Sequence, residues 1–187
     1  MLTKLIIRGD NRVRIAVIYK SNYGTTKQYA TWIAAELNAE LIERTSIKPR
    51  ELADYDMVVY GGGLYASGIL GVDLVTENPC KRLIIFTVGL ADPNTTDYSK
   101  ILDKNLPGEL RSSVKVFHLR GGIDYATIGI VHRGMMAMMR KMTIGNKSPE
   151  QLSDEEQAFV DTYGKKVDFT DRQAIKPLID FAKNQAI

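Results

Sequence analysis

Residues 17–33 read VIYKSNYGTTKQYATWI, and the change of pattern inside them decides the fold. A β-branched apolar run over 13–19 breaks into a loop of hydroxyls and glycine, after which Ala30, Ile33, Ala34 and Leu37 recur at helical spacing. The stretch predicts a strand, a loop and a helix N-terminus. The first amides of a helix have no intrahelical partner and the macrodipole makes that end partly positive, which suits a phosphate dianion. Ser21, Thr25 and Thr26 add side-chain donors, Asn22 and Tyr23 complete the loop, and Gly24 permits a backbone angle that a Cβ would resist.

Two commoner phosphate loops do not fit. A nucleoside-triphosphate loop needs a lysine and a Ser/Thr directly after its last glycine, and Gly24 is followed by Thr25 and Thr26. A dinucleotide fingerprint matches by chance at Gly61-Gly62-Gly63-Leu64-Tyr65-Ala66. It lies outside the first strand–helix unit, and the next strand ends in Phe86 and Thr87 rather than in an acid.

Eight positions, Val17, Ile18, Tyr19, Ser21, Gly24, Thr26, Ala30 and Ile33, resemble the flavin mononucleotide (FMN) signature of the flavodoxin family. The usual Thr-Gly-Asn-Thr core of that loop is replaced by Tyr23-Gly24-Thr25-Thr26. The resemblance implies an α/β fold, a three-layer, doubly wound sheet of five parallel strands in the order 2-1-3-4-5, with FMN held at the carboxyl ends of the strands. The rest of the pattern agrees, with strands expected at 39–43, 56–60, 81–87 and 114–119 and helices at 69–77, 98–106 and 171–184.

The resemblance also assigns the other site loops. Within 61–68, Gly62, Gly63, Leu64, Tyr65 and Ala66 would border the ring, with Tyr65 stacking on it. In 87–93, the amides of Thr87, Val88, Gly89, Leu90 and Asp92 would meet its polar edge. Asp92 can equally form a turn with Pro93, and no second aromatic precedes Tyr98 in this loop.

Composition narrows the function. The 187 residues are 44% hydrophobic, without internal repeats or long polar linkers, as expected of a single domain spanning 1–187, with 1–12 as an extension ahead of the first strand. No apolar run reaches the roughly 20 residues that span a bilayer, and the first 14 residues do not read as a secretory signal, so a cytoplasmic location is expected. A single cysteine, Cys80, and two histidines, His118 and His132, exclude a disulfide, a thiolate metal cluster and a histidine-based hydrolytic triad. Redox chemistry must come from a bound cofactor. No metal site or nucleic-acid partner is expected.

Between the last strand and the last helix, residues 120–169 form an insertion. Its segment 127–142, TIGIVHRGMMAMMRKM, holds five of the seven methionines and places Ile128, Val131, Met135, Met138, Met139 and Met142 on one helical arc, away from Arg133, Arg140 and Lys141. From 120 to 147 there are five Lys or Arg against one acid; the whole chain carries +3, so everything outside this segment sums to −1. The arc can pack on the core, meet the inner face of an anionic membrane, or line an adaptable ligand pocket. Further on, Ser148-Pro149 and Ser153-Asp154-Glu155-Glu156 predict a short acidic helix ending near Gly164. Glu155 and Glu156 do not share a helix face, so paired acid/base chemistry is not expected of them.

A flavodoxin-like core followed by such an insertion, ending in Met-Arg-Lys-Met, resembles the menaquinone-dependent protoporphyrinogen dehydrogenase branch. That resemblance implies an oxidoreductase passing electrons through non-covalent FMN to a quinone or a redox partner protein, with Arg120, Arg133 and Arg140 available to substrate carboxylates. A flavodoxin-type electron carrier without a small-molecule substrate, and an interaction protein that has lost the cofactor, are the alternatives. The pattern names no catalytic residue and no oligomeric state.

Overall fold

The computed structural model describes residues 13–65, 67–145 and 147–186. The proposed extension 1–12 lies outside them. Five parallel strands form the centre, β1 (Ile15–Lys20), β2 (Glu40–Glu43), β3 (Met57–Tyr65), β5 (Leu83–Gly89) and β6 (Lys115–Arg120), in the order β2-β1-β3-β5-β6. This is the 2-1-3-4-5 order expected from the sequence. A short β4 (Gly68–Ile69) returns antiparallel along β3. Register keeps the carboxyl ends level, pairing Lys20 with Gly62, Gly63 with Val88 and Gly89 with Arg120.

The alternating strand residues divide between two core layers. Val17, Val59 and Phe86 pack under α1 (Thr25–Leu37) and α7 (Lys176–Ala186), with Tyr29, Ile33 and Leu178 fully buried. Ile18, Val58, Tyr60 and Ile85 face the opposite layer, where α2 (Asp73–Thr76) contributes Leu74 and α3 (Ser99–Asn105) contributes Leu102. A further short helix, α4 (Gly108–Ser113), leads into β6.

Several boundaries differ from the sequence reading. The third strand runs five residues beyond Tyr60 because the aromatic ring of Phe86 lies over Gly61, filling the space a side chain there would need. The helix expected over 69–77 shrinks to α2, since Gly68 and Ile69 pair with β3 and Gly71 turns the chain at φ +68. The closing helix begins as a 3-10 turn, Arg172–Ile175, before α7.

The insertion holds β7 (Gly122–Asp124), α5 (Ile130–Met139), α6 (Asp154–Thr162) and β8 (Lys166–Asp168). Its two ends pair with each other, Gly122 opposite Asp168 and Asp124 opposite Lys166, so the segment leaves the fold and returns at one place. There the buried Tyr29 hydroxyl of α1 donates to the Arg120 carbonyl at 2.8 Å and accepts from the Asp171 amide at 3.0 Å. Ile123, Tyr125, Ile128, Met136 and Phe159 form a small core of the insertion, packed against Tyr23, Tyr65 and Leu90.

Removing the Tyr29 hydroxyl strands a carbonyl and an amide at this junction. Tyr29→Phe is expected to cost about 1–3 kcal/mol, read from the midpoint of urea unfolding. An unchanged midpoint would mean that the insertion is anchored by its strand pair alone.

Candidate functional site

Between the carboxyl ends of β1, β3 and β5 and the underside of the insertion lies a cavity of about 650 Å³. This is the crevice at which the strand order reverses, where open α/β sheets bind ligands. Its floor is the loop joining β1 to α1. The Gly24 amide donates to Ser21 Oγ at 3.0 Å, curling the loop, and Gly24 stands at φ +93 ahead of α1. No side chain caps α1, so its first amides remain available to an anion beside Thr25 and Thr26.

Two glycines preserve room beside those threonines. A Cβ on Gly121 would sit 2.9 Å from Thr25 Oγ1 and 2.6 Å from Val88, and one on Gly63 would sit 3.3 Å from Thr26 Oγ1. Side chains there would fill the cradle. The side walls are Leu64 and Tyr65 from the end of β3 and Val88, Gly89 and Leu90 from the end of β5. Tyr23 donates to Met136 Sδ at 3.5 Å, and burial, with Tyr65 nearby, pushes its phenol up to about 12.

The structure brings together Asn22, Tyr23, Thr25, Thr26, Gly63, Leu64, Tyr65, Val88, Gly89 and Leu90 around the cavity. Ser21 and Gly24 shape its floor from behind. Other candidates are placed elsewhere. Thr87 is fully buried and its hydroxyl pairs at 2.7 Å with His118 Nδ1, whose ring stacks on Tyr98 at 3.8 Å. Asp92 closes its own turn, accepting from the Asn94 amide at 2.9 Å. Gly62 faces Ile69 and Leu70 within the β3–β4 hairpin, and Ala66 lies outside the described residues.

The roof was not foreseen. Met136, Leu152, Glu155 and Phe159 of the insertion line the cavity from above. Asking only whether Glu155 and Glu156 form a pair missed Glu155, because its role depends on how α6 is set down. The signal lay in the capping box: Ser153 and Glu156 hold each other's backbone amides, and Lys147 clamps Glu156 at 2.7 Å, which turns the neighbouring Glu155 inward.

The three arginines offered to substrate carboxylates are engaged in the fold instead. Arg120 donates to the Leu90 carbonyl at 3.0 Å and lies 3.9 Å over the Phe169 ring. Arg133 holds the carbonyls of Ile128 and Ala126, at 3.0 and 2.8 Å. Arg140 lies 4.8 Å over the Tyr163 ring. Arg120 and Arg133 so placed hold backbone carbonyls, whereas Arg140 lies exposed against a ring. Among the described residues no group of three or more His, Cys, Asp or Glu could hold a metal ion.

A family profile described as "Flavodoxin domain" matches residues 16–150, which includes β1, the phosphate loop and the first part of the insertion. The chain belongs to the flavodoxin domain family. A curated relative from Methanocaldococcus jannaschii, "Uncharacterized protein MJ0298", is 26% identical over 98 residues, 49% of this chain, and the match spans 65% of that protein's length. Among solved structures, the chain is similar to a flavodoxin from the domain Archaea (16% identity, TM-score 0.39, 57% of this chain and 82% of that one). It is also similar to a flavodoxin, WrbA-like protein from Agrobacterium tumefaciens (14%, 0.42, 61% and 87%). A third similar structure is a flavoprotein in complex with FMN from Lactobacillus acidophilus (13%, 0.38, 57% and 91%).

For a flavodoxin domain the group to test against this site is FMN, and the residues fit it. The uncapped helix and the glycine-kept space suit its phosphate, while the cavity beside Tyr65 and Leu90 has the volume and apolar walls for a flat ring.

Nothing lies within 4 Å of a Cβ built on Gly24, so its requirement is backbone angle and not space. Gly24→Val is expected to lose about 1–3 kcal/mol of unfolding free energy, and Gly24→Asn less, since asparagine tolerates positive φ. Equal losses for the two variants in urea titrations would contradict this origin of the strain.

Proposed function

We propose that this flavodoxin domain binds one FMN non-covalently and works as an oxidoreductase on a small substrate. The observation that carries the reading is the roofed cavity, continuous from the phosphate loop to the underside of α6. Bound FMN would supply the redox chemistry, exchanging electrons with donor and acceptor in turn. The chain's own residues do the rest. The Ser21–Thr26 loop and the N-terminus of α1 hold the phosphate, Leu64 and Tyr65 flank the ring, and the backbone of Gly89 and Leu90 meets its polar edge. Phe159, Leu152 and Met136 exclude water from above.

The roof favours a substrate-using enzyme over a plain electron carrier. A carrier must bring its ring edge close to a partner protein's surface, whereas here the insertion stands over the cavity and would keep another protein's surface from it. The finer reading, a quinone-dependent protoporphyrinogen dehydrogenase, is supported by the layout of core, insertion and Met-Arg-Lys-Met run. It receives no support from Arg120 and Arg133, which are occupied.

The electron acceptor side is suggested by α5. Part of the arc faces outward: Met138 is 59% exposed and Met142 75%, beside exposed Arg133, Arg140 and Lys141, as is Ile130 off the arc at 87%, while Ile128 of the arc and Met136 are buried in the insertion's core. A basic helix with an outward apolar stripe suits the surface of an anionic membrane, where a quinone would be reached. No helix among the described residues is long and apolar enough to cross a membrane.

Two measurements check these readings. Purified protein mixed with FMN and freed of excess should retain a flavin absorbance at about one equivalent; a colourless protein would refute the cofactor assignment. It should also co-sediment with anionic vesicles at low salt and much less with neutral ones, with Met138→Glu reducing the bound fraction several-fold. Equal partitioning of wild type and variant would rule out α5 as the contact.

A further inference from the structure

One carboxyl in the cavity wall has no part in the chemistry described so far. Glu155 stands in the first turn of α6, with its Oε1 shielded from solvent and without a hydrogen-bond partner among the described residues. It is pressed against Gly89, where a Cβ would run into Oε1, and the amides of Leu90 and Ala91 face its carboxylate. The helix cannot readily turn it away. The Ser153–Glu156 capping box and the Lys147–Glu156 ion pair fix the first turn from the solvent side, and Phe159 seats the next turn in the insertion's core.

Gly89 and Leu90 are the backbone assigned above to the polar edge of the flavin. That edge carries carbonyl and ring-nitrogen acceptors around a single N–H donor. Ionised, Glu155 sets a negative charge against those acceptors and offers no donor to them. Protonated, it offers an O–H donor of its own. We propose that Glu155 positions the flavin's polar edge, and that the proton on its carboxyl sets how tightly the edge is held; the proposal rests on the FMN reading.

The surroundings set the direction of the pH effect. Burial raises the Glu155 pKa above its ordinary value, opposed by the Leu90 and Ala91 amides and by Arg120 at the end of β6, and reinforced by Asp154 on the same helix. Burial, and after it the Glu155 charge, push the phenol of Tyr98, which precedes α3, upward, so that it stays neutral. Glu155 therefore keeps its proton into a range where a surface carboxyl has lost it. Flavin affinity falls as the pH rises through that range.

The test is a fluorescence-quenching titration of the apoprotein with FMN between pH 5 and pH 8, for wild type, Glu155→Gln and Glu155→Ala. Wild-type affinity is expected to weaken by roughly tenfold on going to pH 8, as coupling to a single proton allows. Glu155→Gln, a permanently neutral donor, should stay near the acid wild-type value, and Glu155→Ala, with neither charge nor donor, should bind less tightly than Glu155→Gln and change with pH no more than it does. The second ionisation of the phosphate, with a pKa of about 6, moves all three curves alike, so the difference between wild type and variants reports the side chain. Parallel curves for wild type and Glu155→Gln would overturn the proposal while leaving FMN binding intact. Failure of all three proteins to bind FMN at any pH would overturn the cofactor reading and this proposal with it.

Discussion

The hydroxyl of Tyr29 holds the architecture at its most demanding point. One buried oxygen donates to the carbonyl of Arg120 and accepts from the amide of Asp171, and these two residues bracket everything added to the basic fold. Holding the ends of an insertion of about fifty residues together costs loop-closure entropy, which the two Tyr29 hydrogen bonds and the β7–β8 pair help to offset. Fixing both ends to the first helix brings them together beside the phosphate loop, because α1 begins at that loop. The site and the insertion share an anchor.

From that anchor the remaining geometry follows by packing. The β7–β8 pair extends the junction, the small core around Tyr125 and Phe159 builds on the pair, and this core rests on Tyr23, Tyr65 and Leu90, one residue from each of the three site loops. The loops are therefore held from both sides, by strand ends below and by the insertion above. Arg120 ties the same layers together, with its carbonyl on Tyr29, its guanidinium on the Leu90 carbonyl and its plane over Phe169. An arginine placed this way shapes the loop after β5 and has little freedom to serve a ligand.

The sheet and the strand–loop–helix unit over 17–33 were legible in the sequence because both are local. Apolar β-branched runs announce strands buried on two faces, and the signature 17–33 fixes loop chemistry within one strand–helix unit. The 61–70 region was misread because Gly61 looks like a strand breaker until Phe86, on the neighbouring strand, is seen to fill its missing side chain. Thr87 was expected to offer its backbone amide at a strand end, and strand pleating turns its side chain toward His118. Glu155 was invisible for a related reason. A carboxyl in an acidic, solvent-looking helix becomes a cavity wall only when tertiary contacts choose which face of the helix is inside.

The methionine helix shows the same limit from the opposite direction. Helical periodicity correctly put Met135, Met138 and Met142 on one stripe, yet periodicity says nothing about which way a stripe faces. Among the described residues of this segment, Ile128 and Met136 enter the insertion's core beside Tyr125 and Phe159, while Met135, Met138 and Met142 face outward. The stripe's sulfur-rich side chains sit next to cationic groups that the rest of a nearly neutral chain does not balance. The insertion thus has two differentiated faces, one closing the cavity with Glu155 and Phe159 and one presenting methionine and cationic side chains outward.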